Sequence, residues 1–376
     1  MAILLTENCI GCGACYSACL PGCIELRLEK SGFFRAYISE KGCTGCGRCK
    51  IVCPQLRSSR SKPESVFAYQ NPIQADLSKS QSGGAFLSLA RTVIEQGGIV
   101  FGVKWNEDCT RAIFSSARTV SELELFTGSK YIPADLSCVL EELRGTIKRG
   151  QLTLFCGLPC QVAAIRNLYP NRDNLLLVEV LCMGPMSLTV WEILRRNLPH
   201  NLRDFRLRDK RHRGWGEADS RYEFSDGTHQ CFCSERFPAW KIFASALTIS
   251  SSCFNCKFRS FDRVADISIG DFWGIEYLIQ LPEEIRQNGI SLVHYQTALG
   301  KKYFIAFQNG ILGRFTDFDK IRKFNGGYRA LTDTEKKRQE SFYNLSYCVG
   351  YRVSVWLASF LARKGRNFPK CFRSRL

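Results

Sequence analysis

Eight cysteines stand in two runs of identical spacing, C-x2-C-x2-C-x3-C: Cys9, Cys12, Cys15 and Cys19, then Cys43, Cys46, Cys49 and Cys53, with Pro54 directly after the second. No other stretch restricts the fold so tightly. Three thiolates two residues apart wrap one iron–sulfur cubane, while the fourth lies beyond the local turn and reaches the other cubane. The spacing therefore assigns Cys9, Cys12, Cys15 and Cys53 to one [4Fe-4S] cluster and Cys43, Cys46, Cys49 and Cys19 to a second. Gly11, Gly13, Ala14, Gly45 and Gly47 let backbone amides approach the sulfides. Zinc is the rival, because C-x2-C pairs also build tetrahedral sites. Two complete four-cysteine runs argue against it, and against a disulfide framework. After Cys19 the proline comes one place late, at Pro21, which weakens Cys19 and leaves Cys23 as the alternative ligand.

The first sixty residues resemble a bacterial-type two-cluster ferredoxin, and the alternating residues 24–28 and 34–38 are its expected strands. A polar stretch, 58–64, reads as a linker, so a second unit starts near Val66. About three hundred residues remain, enough for one large α/β unit or two packed ones. Residues 1–8 hold no charged segment followed by an apolar run, so no secretory signal is expected and the twenty cysteines belong in the reducing cytoplasm. Lysine and arginine number 52 against 35 aspartates and glutamates, a net +17. Such an excess invites a nucleic-acid reading. No helix-turn-helix, zinc-finger or RNA-recognition signature accompanies it, so no nucleic-acid partner is expected. Surface solvation and attraction to acidic small molecules or lipid headgroups account for the charge.

Further along, Ser82-Gly83-Gly84 precedes apolar residues at helical spacing up to Gly97-Gly98. Two glycines at a helix start expose amides to an anion. An ordinary N-cap by Ser82 explains the same residues, and both readings stand. Strands are expected at 99–103 and 112–115, then a short helix at 120–126. The strand 152–155 ends in Cys156-Gly157-Leu158-Pro159-Cys160-Gln161 ahead of a helix at 162–168. The strand 175–181 then delivers Cys182-Met183-Gly184-Pro185. Strands alternating with helices predict a largely parallel sheet, with ligands at the carboxyl ends of its strands. Cys253-x2-Cys256 is weak alone, but with Cys160 and Cys182 it completes four thiols on loops, a count that suits a third cluster. Cys231 and Cys233 follow the Asp226-Gly227 turn in an alternating stretch that reads as a hairpin strand. Residues 292–307 read as the last strand and helix of the core.

Seven motifs now stand in order: Ser82-Gly83-Gly84, Gly128-Ser129-Lys130-Tyr131, Gly157-Leu158-Pro159-Cys160-Gln161, Cys182-Met183-Gly184, Arg208-Asp209-Lys210, Cys253-x2-Cys256 and Gly270-Asp271-Phe272-Trp273-Gly274. Together they resemble the beta subunit of coenzyme F420 hydrogenase/dehydrogenase behind an N-terminal ferredoxin, over residues 1–325. The resemblance implies an α+β and α/β chain: a two-[4Fe-4S] ferredoxin domain (1–60), the family's N-terminal domain (66–150), its C-terminal domain (151–325) and a basic amphipathic tail (326–376). It implies a mixed α/β flavin-binding core, with FAD exchanging hydride with a deazaflavin or comparable carrier. Ser82, Gly83 and Gly84 would cradle the flavin phosphate, Lys130 in the Gly128-Ser129-Lys130 turn would be a cation beside the ring or pyrophosphate, and Asp271 would be a polar contact. Cys160, Cys182, Cys253 and Cys256 occupy the family's cluster-ligand positions. Met183 stands where the family often has His, and Leu158 where Thr or Ser is common. The family also occurs beside bacterial surface-polysaccharide genes, and plant and cyanobacterial members reduce pigments.

The chemistry is coherent, because clusters pass single electrons, hydride carriers deal in two, and a flavin joins them. The expected partner is a redox protein or a small hydride carrier; the alternative is a non-catalytic relay subunit of a larger complex. In the tail, Leu345, Val349, Val353, Trp356 and Phe360 fall on one helical face, interrupted by Arg352 and followed by Arg363, Lys364, Arg366, Lys370, Arg373 and Arg375. A membrane span is not expected. Peripheral contact with the inner face of a membrane and packing on the core or on a second copy are the alternatives.

Overall fold

The computed structural model describes residues 2–217, 219–233, 239–363 and 366–367. The N-terminal unit is a three-stranded antiparallel sheet, β1 (Ala2–Leu4), β2 (Ile24–Leu28) and β3 (Phe34–Ser39), in the order β1-β3-β2. Two one-turn helices, Ala14–Ala18 and Arg48–Val52, carry the middle of each cysteine run. Each starts after a left-handed glycine, Gly13 at φ 75° and Gly47 at φ 71°, a conformation that glycine adopts at little cost and that curls the run. Ala14, Ile24, Ala36 and Val52 bury together with Ala164 of the following unit, so the ferredoxin is packed onto the rest of the chain. Its linker is pinned as well: Ser61 and Arg263 exchange two backbone hydrogen bonds of 2.9 Å.

The core is one nine-stranded sheet. Its strands are β4 (Val66–Tyr69), β5 (Ile99–Trp105), β6 (Ala112–Ala117), β7 (Ala134–Asp135), β8 (Thr153–Gly157), β9 (Leu175–Val180), and, after a separate meander of β10 (Leu202–Arg206), β11 (Ser220–Phe224) and β12 (His229–Phe232), β13 (Ile267–Asp271), β14 (Ser291–Tyr295) and β15 (Ile311–Phe315). The order is β15-β4-β14-β13-β9-β8-β5-β6-β7. Only the centre, β13-β9-β8-β5, is parallel throughout. The expectation of a largely parallel sheet is corrected at both flanks, where β15-β4, β4-β14, β14-β13 and β5-β6 are antiparallel. On the β5-β6 side the cause is local: residues 106–111 are too few for a crossover, so the chain must turn straight back. The expected end of the core at 307 is also corrected, since β15 follows and covers the edge of β4. The segment 120–126 is a 3-10 helix, Ser121–Phe126. Cys231 lies in β12, as the hairpin reading required.

Every residue of β8 is buried, as a central strand covered on both faces must be. One face packs Leu89 and Val93 of the Ala85–Glu95 helix on Leu154 and Val178; the other packs Leu143 and Val162 on Phe101, Phe155 and Leu177. Two motif loops thereby leave adjacent central strands at the same end, Gly157-Leu158-Pro159-Cys160 after β8 and Leu181-Cys182 after β9. The buried Glu179–Arg263 ion pair, with Ser268 donating to Glu179 Oε1 at 2.7 Å, ties β9 to β13 just below that end.

The tail corrects a further expectation. Residues 332–340, read as a polar interval, open a 17-residue helix, Asp333–Val349, with a Thr332/Glu335 capping box. Gly350 at φ 90° breaks it, and a second helix, Tyr351–Arg363, follows. Leu345 is partly buried, unlike Val349, Val353, Trp356 and Phe360, so the single face is split between two helices. Lys364, Lys370, Arg373 and Arg375 lie outside the described residues. Among the described residues no helix is long and apolar enough to cross a membrane.

Candidate functional site

The cysteines fall into three groups. Burial, followed by repulsion from Cys15, Cys9 and Cys53, pushes the Cys12 thiol well above the usual range, so these four are neighbours as the crossed assignment requires. Burial and then Cys9 and Cys53 lift Cys15 to about 12. Cys9 Sγ accepts the Ala36 amide at 3.3 Å. In the second group, Cys43 and Cys46 are exposed and Cys19 and Cys49 partly buried. Cys23 lies within electrostatic range of Cys19, Cys43 and Cys46, and its amide donates to Cys19 Sγ at 3.3 Å, so a fifth thiol borders this set. The two sets thus differ in access: Cys9, Cys15 and Cys53 are buried, whereas the second set faces solvent.

Cys160, Cys182, Cys253 and Cys256, from three separate loops, line one cavity of about 720 Å³ between the core and the ferredoxin, with Cys12 on its opposite wall. Burial, then Cys182, Cys256 and Cys253, raises Cys160 strongly, with Cys12 also contributing; burial lifts Cys253 to about 12. Four thiols that repel one another in a buried place keep their protons unless metal takes them. Among the described residues, no three Cys, His or carboxylate groups could hold a single metal ion. Ligands of one tetrahedral zinc sit about 3.8 Å apart, given Zn–S near 2.3 Å. The looser sets fit a cubane better than the zinc rival.

Arg35, 7% exposed, locks the two thiol systems together. Its Nη1 donates to the carbonyls of Cys9 and Glu7 (3.1 Å for the latter) and to Ser252 Oγ at 2.6 Å, and its Nη2 donates to Ser251 Oγ at 3.2 Å. Ser252 Oγ in turn donates to the Cys9 carbonyl at 2.8 Å. The loop that begins one thiol set is thus bonded to the residue preceding Cys253 of another.

Beyond a shared wall of Ala134, Leu158 and Gln161 lies a second cleft of about 220 Å³. Gln161 stitches that wall, accepting the Leu158 amide at 3.0 Å and donating to the Ala134 carbonyl at 3.1 Å. Ser82, Gly84, Gly128, Ser129, Lys130 and Asp271 all line the cleft. Gly83 lies behind it, where a Cβ would stand 2.3 Å from the Tyr69 carbonyl oxygen and 2.4 Å from the Ser291 nitrogen. The serine-cap alternative is corrected: Ser82 Oγ donates to the Ile290 carbonyl at 2.8 Å, and Gly84, φ 81°, is the N-cap with no side-chain bond. The start of the Ala85–Glu95 helix therefore faces the cleft uncapped by any side chain, and Gln81 Nε2 on the same rim is buried without a partner. An uncapped helix start, an orphaned amide donor and a cation are what a phosphate-bearing cofactor needs. The volume lies below the roughly 300–1,000 Å³ of typical small-molecule sites, room for one part of a dinucleotide.

Lys130 Nζ donates to the carbonyls of Leu125 (3.1 Å) and Thr127 (2.8 Å), and burial lowers it to about 8. Asp271 is already partnered, its Oδ1 accepting from Arg208 Nη2 and Trp215 Nε1, both at 2.8 Å. Residues without an assigned role in the sequence reading complete the surroundings. Lys210 Nζ donates to the Ser82 carbonyl at 2.6 Å and to that of Asn288, bracing the Ser82 loop, and burial lowers it to about 7. Arg208 lies 4.7 Å above Trp273, which stacks on Trp215 at 4.6 Å. The Arg208-Asp209-Lys210 motif was the sequence signal for both cations; nothing local marked Arg35, Gln161 or Trp215.

Fold and thiol sets together define an iron–sulfur redox protein built on a mixed α/β core. Residues 8–56 match the family described as 4Fe-4S dicluster domain, and residues 150–319 belong to the family described as the C terminus of the coenzyme F420 hydrogenase/dehydrogenase beta subunit. The two domains place the chain among electron-transfer oxidoreductases. Among solved structures, a chain from the F420-reducing [NiFe] hydrogenase complex of Methanosarcina barkeri, from a xenon-derivatization study, is similar at 16% identity, covering 77% of this chain and 94% of that one, with a TM-score of 0.48. No curated protein matches the sequence.

Proposed function

We propose that this chain is an iron–sulfur flavoprotein oxidoreductase that couples one-electron transfer to hydride exchange with a small carrier, an F420-like deazaflavin or an intermediate of surface-polysaccharide synthesis. The observation that carries the reading is the unbroken series of sites: the exposed Cys43/Cys46 set, the buried Cys9/Cys12/Cys15/Cys53 set, the Cys160/Cys182/Cys253/Cys256 cavity, and the cleft across the Leu158/Gln161 wall. Bound [4Fe-4S] clusters would supply the single-electron steps and FAD the two-electron step. The chain's own residues do the rest. Arg35 and Ser252 hold the ferredoxin loop against the core loop, which fixes the spacing of the two thiol sets. Gln161 keeps the wall between cavity and cleft thin and ordered. Lys130 offers positive charge in the cleft, the Ala85–Glu95 helix start offers its amides, and Lys210 holds the Ser82 loop that shapes it. All described cysteines are free, which suits a reducing compartment, and the cytoplasm is the proposed location.

A relay subunit is the second reading, favoured by the apolar surface beside the exposed thiols, where Leu20 is 79% and Ile51 50% exposed and a partner would cover them. Mixing anaerobic holo-protein with a two-electron donor, reduced F420 or NADH, in the absence of partners separates the two. Bleaching of the flavin band followed by cluster reduction is expected. Clusters that respond to dithionite beside a flavin indifferent to both donors would leave the relay.

A further inference from the structure

We propose that the Tyr351–Arg363 helix docks this protein on an anionic lipid surface. Val353, Trp356 and Phe360 follow one another at spacings of three and four, on one face, and are 50%, 65% and 45% exposed. The Trp356 and Phe360 rings stack at 5.8 Å. The opposite face carries Val355 and Ala358, which are buried in the same core as Trp191 and Phe243, on the Leu188–Arg195 and Ala239–Ala244 helices. The helix is therefore held by its back while its front has no partner among the described residues. Across the Gly350 break, Tyr347 (61% exposed) and Val349 (48%) extend the apolar surface. A contiguous outward patch of this kind marks a contact surface rather than scattered surface hydrophobics.

Charge selects the occupant. Residues 341–376 contain Arg352, Arg363, Lys364, Arg366, Lys370, Arg373 and Arg375, and no aspartate or glutamate. A second copy docking through the same face would bring two such cationic segments together, which opposes association. A bilayer bearing anionic headgroups satisfies both features: the apolar face sits at the headgroup boundary, where tryptophan is favoured, and the basic residues meet the negative surface. At 13 residues the helix lies on the bilayer and does not cross it. The inference rests on the tail alone and is independent of the redox reading.

The test is flotation of the full-length holo-protein with phosphatidylcholine vesicles with and without phosphatidylglycerol. Binding is expected only to the anionic vesicles and to weaken as salt rises. Trp356→Ser with Phe360→Ser should reduce it by about tenfold or more, and deletion of 364–376 should do the same through the lost charge. Unchanged cluster absorbance and thermal midpoint certify that the variants are folded, and the deletion alone decides if the double variant is not. Three results would overturn the proposal: no flotation, equal binding to both vesicles, or a dimer or DNA complex that the same substitutions abolish.

Discussion

Replacing Arg35 with Met tests how the ferredoxin is held to the core. The guanidinium serves the Glu7 and Cys9 carbonyls and the Ser251 and Ser252 hydroxyls. Ser252 Oγ still serves the Cys9 carbonyl, and the hydroxyls can turn elsewhere, so about two charge-assisted bonds are lost without replacement. At about 1.5–3 kcal/mol each, the loss is about 3–5 kcal/mol. With an unfolding entropy of about 2.1 cal/mol/K per residue over this chain, that shifts the thermal midpoint by about 4–6 °C if the molecule melts as one unit. Because all four contacts bridge the same seam, an earlier and separate ferredoxin transition is the expected form. Anaerobic calorimetry reads the shift. Low-temperature paramagnetic resonance reads the weakened magnetic coupling between the Cys9 and Cys253 systems. Ser252→Ala should cost less, and the double variant should cost less than the sum, since the two share a bond. An unchanged midpoint with unchanged coupling would refute the latch.

Cys256→Ser should remove about four of about twelve irons and leave the ferredoxin signals intact; loss of all iron would mean that the cavity cysteines only support the fold. Lys130, lowered to about 8 by burial, is protonated at pH 7 and neutral by pH 9, so FAD affinity measured by fluorescence quenching should be flat below pH 8 and fall above it, by up to about tenfold per pH unit. Lys130→Met should flatten that profile. Gly83→Ala forces a methyl onto the Tyr69 carbonyl and the Ser291 amide, and should cost about 1–3 kcal/mol in stability by denaturant titration together with most flavin binding.

What the sequence disclosed divides by range. Both cysteine runs were legible because cluster ligation is a local spacing rule, and Gly13 and Gly47 start the short helices inside them. The hairpin at Asp226-Gly227 was legible for the same reason. The role of Ser82 was not: its hydroxyl bonds Ile290, 208 residues away, in place of the local cap that its position suggested. Arg35 meets Ser252 across 217 residues and belongs to no motif. The antiparallel flanks of the sheet depended on which edge the chain returned to, and β15 was missed because 292–307 already looked like a closing strand and helix. In the tail, periodicity ran through Gly350 as though it were absent, but its φ of 90° ends the first helix. The Arg208-Asp209-Lys210 motif marked cations without assigning them; only the fold brings Arg208 to Asp271 and Lys210 to the Ser82 loop.

The direct measurement is composition and spectrum together: iron, acid-labile sulfide and flavin per chain in anaerobically prepared protein, with paramagnetic resonance after dithionite. About twelve irons, about twelve sulfides and one FAD, with three cluster signals, are expected from four thiolates per cubane in three sets. Eight irons with no flavin would reduce the molecule to a ferredoxin on an inert core, and zinc alone would contradict the account outright.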